Sequence, residues 1–454
     1  MNYKNSKGDL VGQNKRYKLW CSLGAIAYGL PLCSFAFEGD VGFDSTSFFY
    51  SSSDRGTSST TLKAGFEATG DQKYFHEQTD ATFYTFVDNN PTLNFESKQT
   101  YLSTQKGTFG HVEYTLGRRI YEWSKVDQDW SMMSLWSPHF TWDPIYPETI
   151  GLTGAFITYD SQNIHWMVYG SPIAIPERGT PLVAQNGTIT SPNPFWQPLP
   201  TTQMVMGTPT TIQYNLLMPP LQDILFRPNF AARLKVDLPG GFWASFNSGI
   251  LPVYQTQLAA QPYLGPNGTI QVNIIPEFPM RSLTTAEAGV VAPDKDWDMW
   301  FSASYERPFN FTNESDWLNP VITPATIIAT GSDVNVTKNF VFHGGVLFIH
   351  EDSGPPSTNL TGVSVSLPSR FPLKQGFEIS GDWHFSDYTQ SKLQWIQDLQ
   401  EQNQFFSLQI QHRFPKTRVE VGAGADAFIA QTTTGWVGQY YGDDRIRGWL
   451  KYAF

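Results

Sequence analysis

The nine residues Ile446-Arg447-Gly448-Trp449-Leu450-Lys451-Tyr452-Ala453-Phe454 alternate with a period of two. Phe454, Tyr452, Leu450, Gly448 and Ile446 make an apolar face, while Ala453, Lys451, Trp449 and Arg447 carry the charge. One dry face and one wet face predict a β-strand, because successive side chains point to opposite sides. The period returns as hairpins. Phe230, Ala232, Leu234, Val236 and Leu238 oppose Arg233, Lys235 and Asp237; Pro239-Gly240-Gly241 turns the chain, and Phe242, Ala244, Phe246 and Ile250 resume the apolar face. Phe406, Leu408, Ile410, His412 and Phe414 lead through Pro415-Lys416-Thr417 to Val419, Val421, Ala423, Ala425 and Ala427, opposite Arg418, Glu420 and Asp426. A third hairpin pairs Val363, Val365 and Leu367 with Phe377, Ile379 and Trp383 across Phe371-Pro372-Leu373-Lys374. A fourth joins residues 154–160 to 163–170 at Ser161-Gln162, and shorter strands fall at 62–68, 81–87 and 299–305.

The connections come in two sizes. Those turns are short, whereas 171–210, 251–296 and 310–338 are long and rich in Pro, Gly, Asn and Thr. A compact soluble domain seldom carries several such loops. In a membrane barrel, short turns line one rim and long loops the other. Phe309, Phe371, Phe377 and Phe414 beside the turns suit an interfacial aromatic girdle.

Composition narrows the class. Aromatic residues make up 15% of the 454 residues, yet the mean hydropathy is -0.30. A barrel reconciles the two, since half of each strand faces water and no long apolar run is needed. Outside the N-terminal region no stretch approaches the roughly 20 apolar residues of a spanning helix.

Residues 1–36 have the layout of a signal peptide: basic Lys15, Arg16 and Lys18, an apolar run over 19–32, then Ser34-Phe35-Ala36, placing the mature start at Phe37. The expected organisation is therefore 1–36 signal and 37–454 barrel. Both cysteines, Cys21 and Cys33, would leave with the signal. An exported body without cysteine fits a bacterial envelope better than a eukaryotic secretory route. Losing five basic residues and Asp9 moves the formal charge from -11 to -15, which argues against nucleic acid as a partner.

Taken together, the export signal, the cysteine-free body, the alternating strands, the two loop sizes and the terminal Tyr452-Ala453-Phe454 resemble the Gram-negative outer-membrane porin-type β-barrels. The likeness covers 37–454 and is architectural, so it assigns no subfamily. It implies an all-β, single antiparallel transmembrane barrel of about 16 strands, within a range of 14–18, with short periplasmic turns and long extracellular loops. It also implies a place in the outer membrane and Leu450, Tyr452 and Phe454 as a membrane-insertion signal. The partners implied are outer-membrane lipid, periplasmic chaperones, the outer-membrane assembly machinery and, in many members, two further copies as a homotrimer.

A barrel of that size encloses water. The expected function is passive diffusion of small polar solutes, sugars or ions, with a plugged receptor or adhesin as the alternative and a barrel phospholipase behind it. The wet parities nominate Arg233, Lys235, Asp237, Glu378, Asp382, Arg413, Arg418, Glu420, Asp426, Arg447 and Lys451 as lumen-lining. Between residues 121 and 150, Trp123, Trp130, Trp136 and Trp142 mingle with Asp127, Asp129 and Asp143. Aromatic faces beside carboxylates suit a sugar-binding constriction, and a packed loop or interfacial belt would use the same residues. No G-x-S-x-G, H-E-x-x-H or phosphate-binding loop occurs, and Asp294, Asp296 and Asp298 lack the glycine of a calcium loop. No enzyme activity, cofactor or metal is expected.

Overall fold

The computed structural model describes residues 35–49, 58–87, 93–179, 182–191, 199, 201–205, 208–265, 268–309, 322–352, 371–432 and 435–454. Residues 1–34 of the expected signal (1–36) and the strand expected at 363–367 lie outside them. Eighteen strands form one sheet: β1 (Phe35–Phe48), β2 (Ser58–Asp71), β3 (Phe75–Phe86), β4 (Leu93–Thr104), β5 (Val112–Arg119), β6 (Leu152–Asp160), β7 (Ile164–Ser171), β8 (Asn229–Asp237) and β9 (Phe242–Pro252), followed by β10 (Met280–Val291), β11 (Trp297–Phe309), β12 (Ala325–Thr337), β13 (Phe340–Glu351), β14 (Gln375–Ser386), β15 (Thr389–Asp398), β16 (Gln404–Phe414), β17 (Val419–Ile429) and β18 (Arg445–Ala453). Each pairs antiparallel with the next. The sheet closes where β18 meets β1, with Asp40 opposite Ala453 and Phe48 opposite Arg445. Closure satisfies the backbone groups that an edge would leave bare in lipid.

The alternation decides the faces. Across the seam Val41 stands opposite Tyr452 and Phe43 opposite Leu450, all on the exposed outer surface. Leu234, Phe246, Phe301 and Leu408 continue that apolar band around the barrel. The rims differ as expected. Connections 72–74, 161–163, 238–241, 292–296, 338–339, 387–388 and 415–418 lie at one end; the longer connections that follow β5, β7, β9, β11 and β13 leave from the other.

The count of eighteen is at the top of the expected range, and two of the strands not read from the sequence lie in presumed loops. β10 occupies part of 251–296. Its outer face is Ser282, Thr284, Ala286 and Ala288, too small and polar to read as a greasy stripe. β12 occupies part of 310–338 and reverses the usual pattern, with Ala325, Ile327 and Ala329 buried inside the barrel. The third hairpin is corrected as well: β14 pairs with β13, and Phe371 and Leu373 are buried at the end of a long connection instead of forming a tight turn. Part of the remaining loop sequence forms its own sheet, in which Thr202–Val205, Thr208–Leu216, Ile270–Glu277 and Gln257–Leu264 pair in that order.

Candidate functional site: the lumen and its inward-folded segment

Residues 120–151, between β5 and β6, fold into the barrel. Ser124 caps the short helix α1 (Lys125–Asp129), its hydroxyl accepting from the Asp127 amide. The apolar side of the segment packs on the wall from β8 to β13. Trp123, Val126, Trp130, Leu135 and Trp136 join Ala231, Leu283, Trp300, Ile327 and Leu347 in one buried cluster, and Trp123 stacks on Trp136 at 5.4 Å. This explains why β12 is apolar on its inner face: it meets protein there, not water.

Polar contacts fix the segment further. The Trp136 indole donates to Thr285 at 3.0 Å and the Trp300 indole to Asp129 at 2.9 Å; Ser124 donates to Glu287 at 2.8 Å. Arg281, paired with buried Glu306 at 3.0 Å, donates to the carbonyls of Ser134 and Leu135. Across the lumen, Tyr146 donates to Asp426 at 2.6 Å, Arg445 bridges Asp426 at 2.6 Å and Asp143 at 3.0 Å, and Arg447 lies 4.2 Å from the Tyr146 ring centre. Trp142 stacks on Phe86 at 4.3 Å, and Glu148 takes Lys98 at 2.7 Å and the Tyr84 hydroxyl at 2.9 Å. Burial pushes the Asp127 carboxyl up against the opposing pull of His139 and the Leu135 and Trp136 amides. Burial acts on Glu148 in the same direction, but the Lys98 ammonium wins and holds its carboxyl down.

The segment leaves two polar-walled spaces. The first, about 700 Å³, runs beside the closing seam, lined along β1 from Glu38 to Phe48 and along β18 from Arg445 to Ala453. At about 3.3 Å per residue that is most of the wall's height. Its wall is layered by the strand register. Gln411, Gly422, Trp449, Asp44 and Thr61 form one row across β16, β17, β18, β1 and β2. On the long-loop side of it stand Gln409, Gly424, Arg447, Thr46 and Ser59, and on the short-turn side Arg413, Glu420, Lys451, Gly42 and Lys63. The second space, about 490 Å³, is acidic, with Asp129, Asp333, Glu378 and Asp382 against Lys392 and His343.

The nominated residues divide accordingly. Arg447 and Lys451 line the first space, Glu378 and Asp382 the second. Arg413 and Glu420 hold inward register positions near the short-turn rim. Arg233, Lys235 and Asp237 face inward but are occupied: Arg233 donates to the Glu122 carbonyl, Lys235 lies 3.4 Å from Asp237, and Asp237 takes His165 at 2.9 Å. Two placements need correction. Arg418 sits in a turn at φ 56°, off the wall, and Asp426 is buried beneath Arg445 and Arg447. Of the constriction residues, Trp123 and Trp136 are sealed in the internal core, so neither offers a face to solute; Trp142 and Asp143 border the first space, Asp129 and Trp130 the second, and Asp127 is buried. Leu450, Tyr452 and Phe454 are all exposed on the outer face, where the Phe454 ring covers Gly39. Sequence reasoning missed Arg281, Glu287 and Glu306. A charge on the inner parity of a strand was the available signal, but β10, which carries Arg281 and Glu287, was not read as a strand, and Glu306 lies on β11 one residue past the strand expected at 299–305.

No protein-family model and no curated protein sequence matches the chain. Solved structures do. Pseudomonas aeruginosa OccK5 (OpdH) superposes with a TM-score of 0.50 at 10% identity, covering 92% of this chain and 97% of that one. Pseudomonas aeruginosa OccK11 (OpdR) does so with a TM-score of 0.50 at 8% identity, over 92% and 95%. The chain has the fold of a porin-type outer-membrane β-barrel. The likeness spans the barrel from end to end, and at these identities it concerns the fold alone. Inside the porin-type wall, the packing of 120–151 and the charges around it are read from this chain's own residues.

Proposed function

We propose that this protein is an outer-membrane channel for passive diffusion of small polar solutes. The observation carrying the reading is the first space, whose lining follows β1 and β18 through nearly the whole wall while Trp142, Asp143, Tyr146 and Glu148 of the internal segment border it without filling it. A plug would fill it. The exposed apolar band supplies the surface that lipid covers, and paired charges along the path set up local fields that sort solutes. Purified protein folded in detergent and added to planar bilayers will give stepwise ion currents. A folded barrel that passes no current overturns the proposal.

A further inference from the structure

Resting on the channel reading, we propose that Trp449 is a stacking platform for pyranose rings, which makes neutral sugars the solute class this lumen holds. The other large rings of the interior are used up in packing: Trp123 lies on Trp136, Trp142 on Phe86, and Trp130 is buried. Trp449 is different. It lines the open space at the seam and is partly exposed, and among the described residues no other ring lies against it. A side chain on Gly422 would overlap its indole, so one face of the ring rests on the bare backbone of β17. The opposite face is left to the path.

Its row supplies the complementary polar groups. Gln411 stands beyond Gly422 on one side; Asp44, then Thr61, stand on the other. The C–H face of a sugar ring suits an indole surface, while its hydroxyls project sideways toward carboxamide and carboxylate. The nearby cations already have partners: Lys63 on Asp44 at 2.5 Å, Arg447 on Asp426 at 2.9 Å and Lys451 on Asp40 at 3.4 Å. That balance favours an uncharged solute over an anion.

Calorimetric titration of the detergent-folded barrel with maltose tests the platform without requiring ion current. Saturable binding is expected, weakened about tenfold by W449A and largely retained by W449F, with both variants first checked for heat-modifiable electrophoretic mobility. Absence of saturable binding to the unaltered protein, equal binding by W449A, or binding of benzoate in place of maltose would each overturn the platform. Absence of bilayer current from a barrel that still binds maltose would overturn the channel reading instead.

Discussion

Asp426 and Arg445 sit side by side on β17 and β18, the carboxylate 2.6 Å from Arg445 Nε and both side chains fully shielded from solvent. The same carboxylate receives Tyr146 and Arg447, so one inner-wall acid ties the internal segment to the closing seam. Removing its charge leaves two guanidiniums short of a partner at a site with little water. D426N is expected to cost about 3 kcal/mol or more, the usual penalty for breaking a buried pair from one side. The measurement is the urea midpoint for unfolding from detergent micelles, and an unchanged midpoint would show that the network is not what holds the segment.

Asp129 gives the second space a pH dependence. Its side chain is open to the cavity yet walled in by the barrel, and that enclosure, reinforced by the negative Asp333, pushes its carboxyl up to about 6. Because the folded value lies above the ordinary carboxylate value, the folded state holds the proton more tightly. This acid's contribution therefore favours folding at low pH and is lost as pH rises from about 4 through 6. In transport terms the space gains a negative charge over the upper part of that window. Reversal potentials in a salt gradient are expected to shift toward cation preference between pH 5 and 7, with the step missing in D129N.

Gly422 reserves the room that Trp449 occupies. G422A would place a methyl group within the indole and force the ring into the path. Single-channel conductance should fall while the barrel still assembles. Conductance equal to that of the unaltered protein would mean that the path runs elsewhere.

The assignment of faces can be tested at adjacent positions. Leu234 points outward and Lys235 inward on β8. L234R puts a charge into hydrocarbon and is expected to cost about 2–4 kcal/mol if the site lies near the bilayer midplane. K235R should cost little. Urea titrations of folding into lipid vesicles compare the two, and equal costs would reject the parity.

Most strands were legible because a wall between lipid and water must alternate. Phe230 to Ile250 and Phe406 to Ala427 show this cleanly, with the turns where Pro and Gly put them. Among the strands that were not read, β10 and β12 show why: one has an outer face of small residues and the other an inner face that packs on protein. The four tryptophans between 121 and 150 show the limit most clearly. Composition alone could place them on a sugar, on a membrane interface or in a core.

What the amino-acid order settled is local: a period of two, the turn chemistry and the lipid-facing stripe each depend on residues a few positions apart. How the inward-folded segment divides the lumen was decided by contacts between distant parts of the chain, such as Trp136 with Thr285 and Tyr146 with Asp426. The same holds for the free ring. Trp449 is one tryptophan of fifteen in sequence, and it becomes a surface for solute because a glycine on the neighbouring strand lets it lie flat. Cross-strand register exists only once the sheet has closed, so the shape of the path belongs to the tertiary structure.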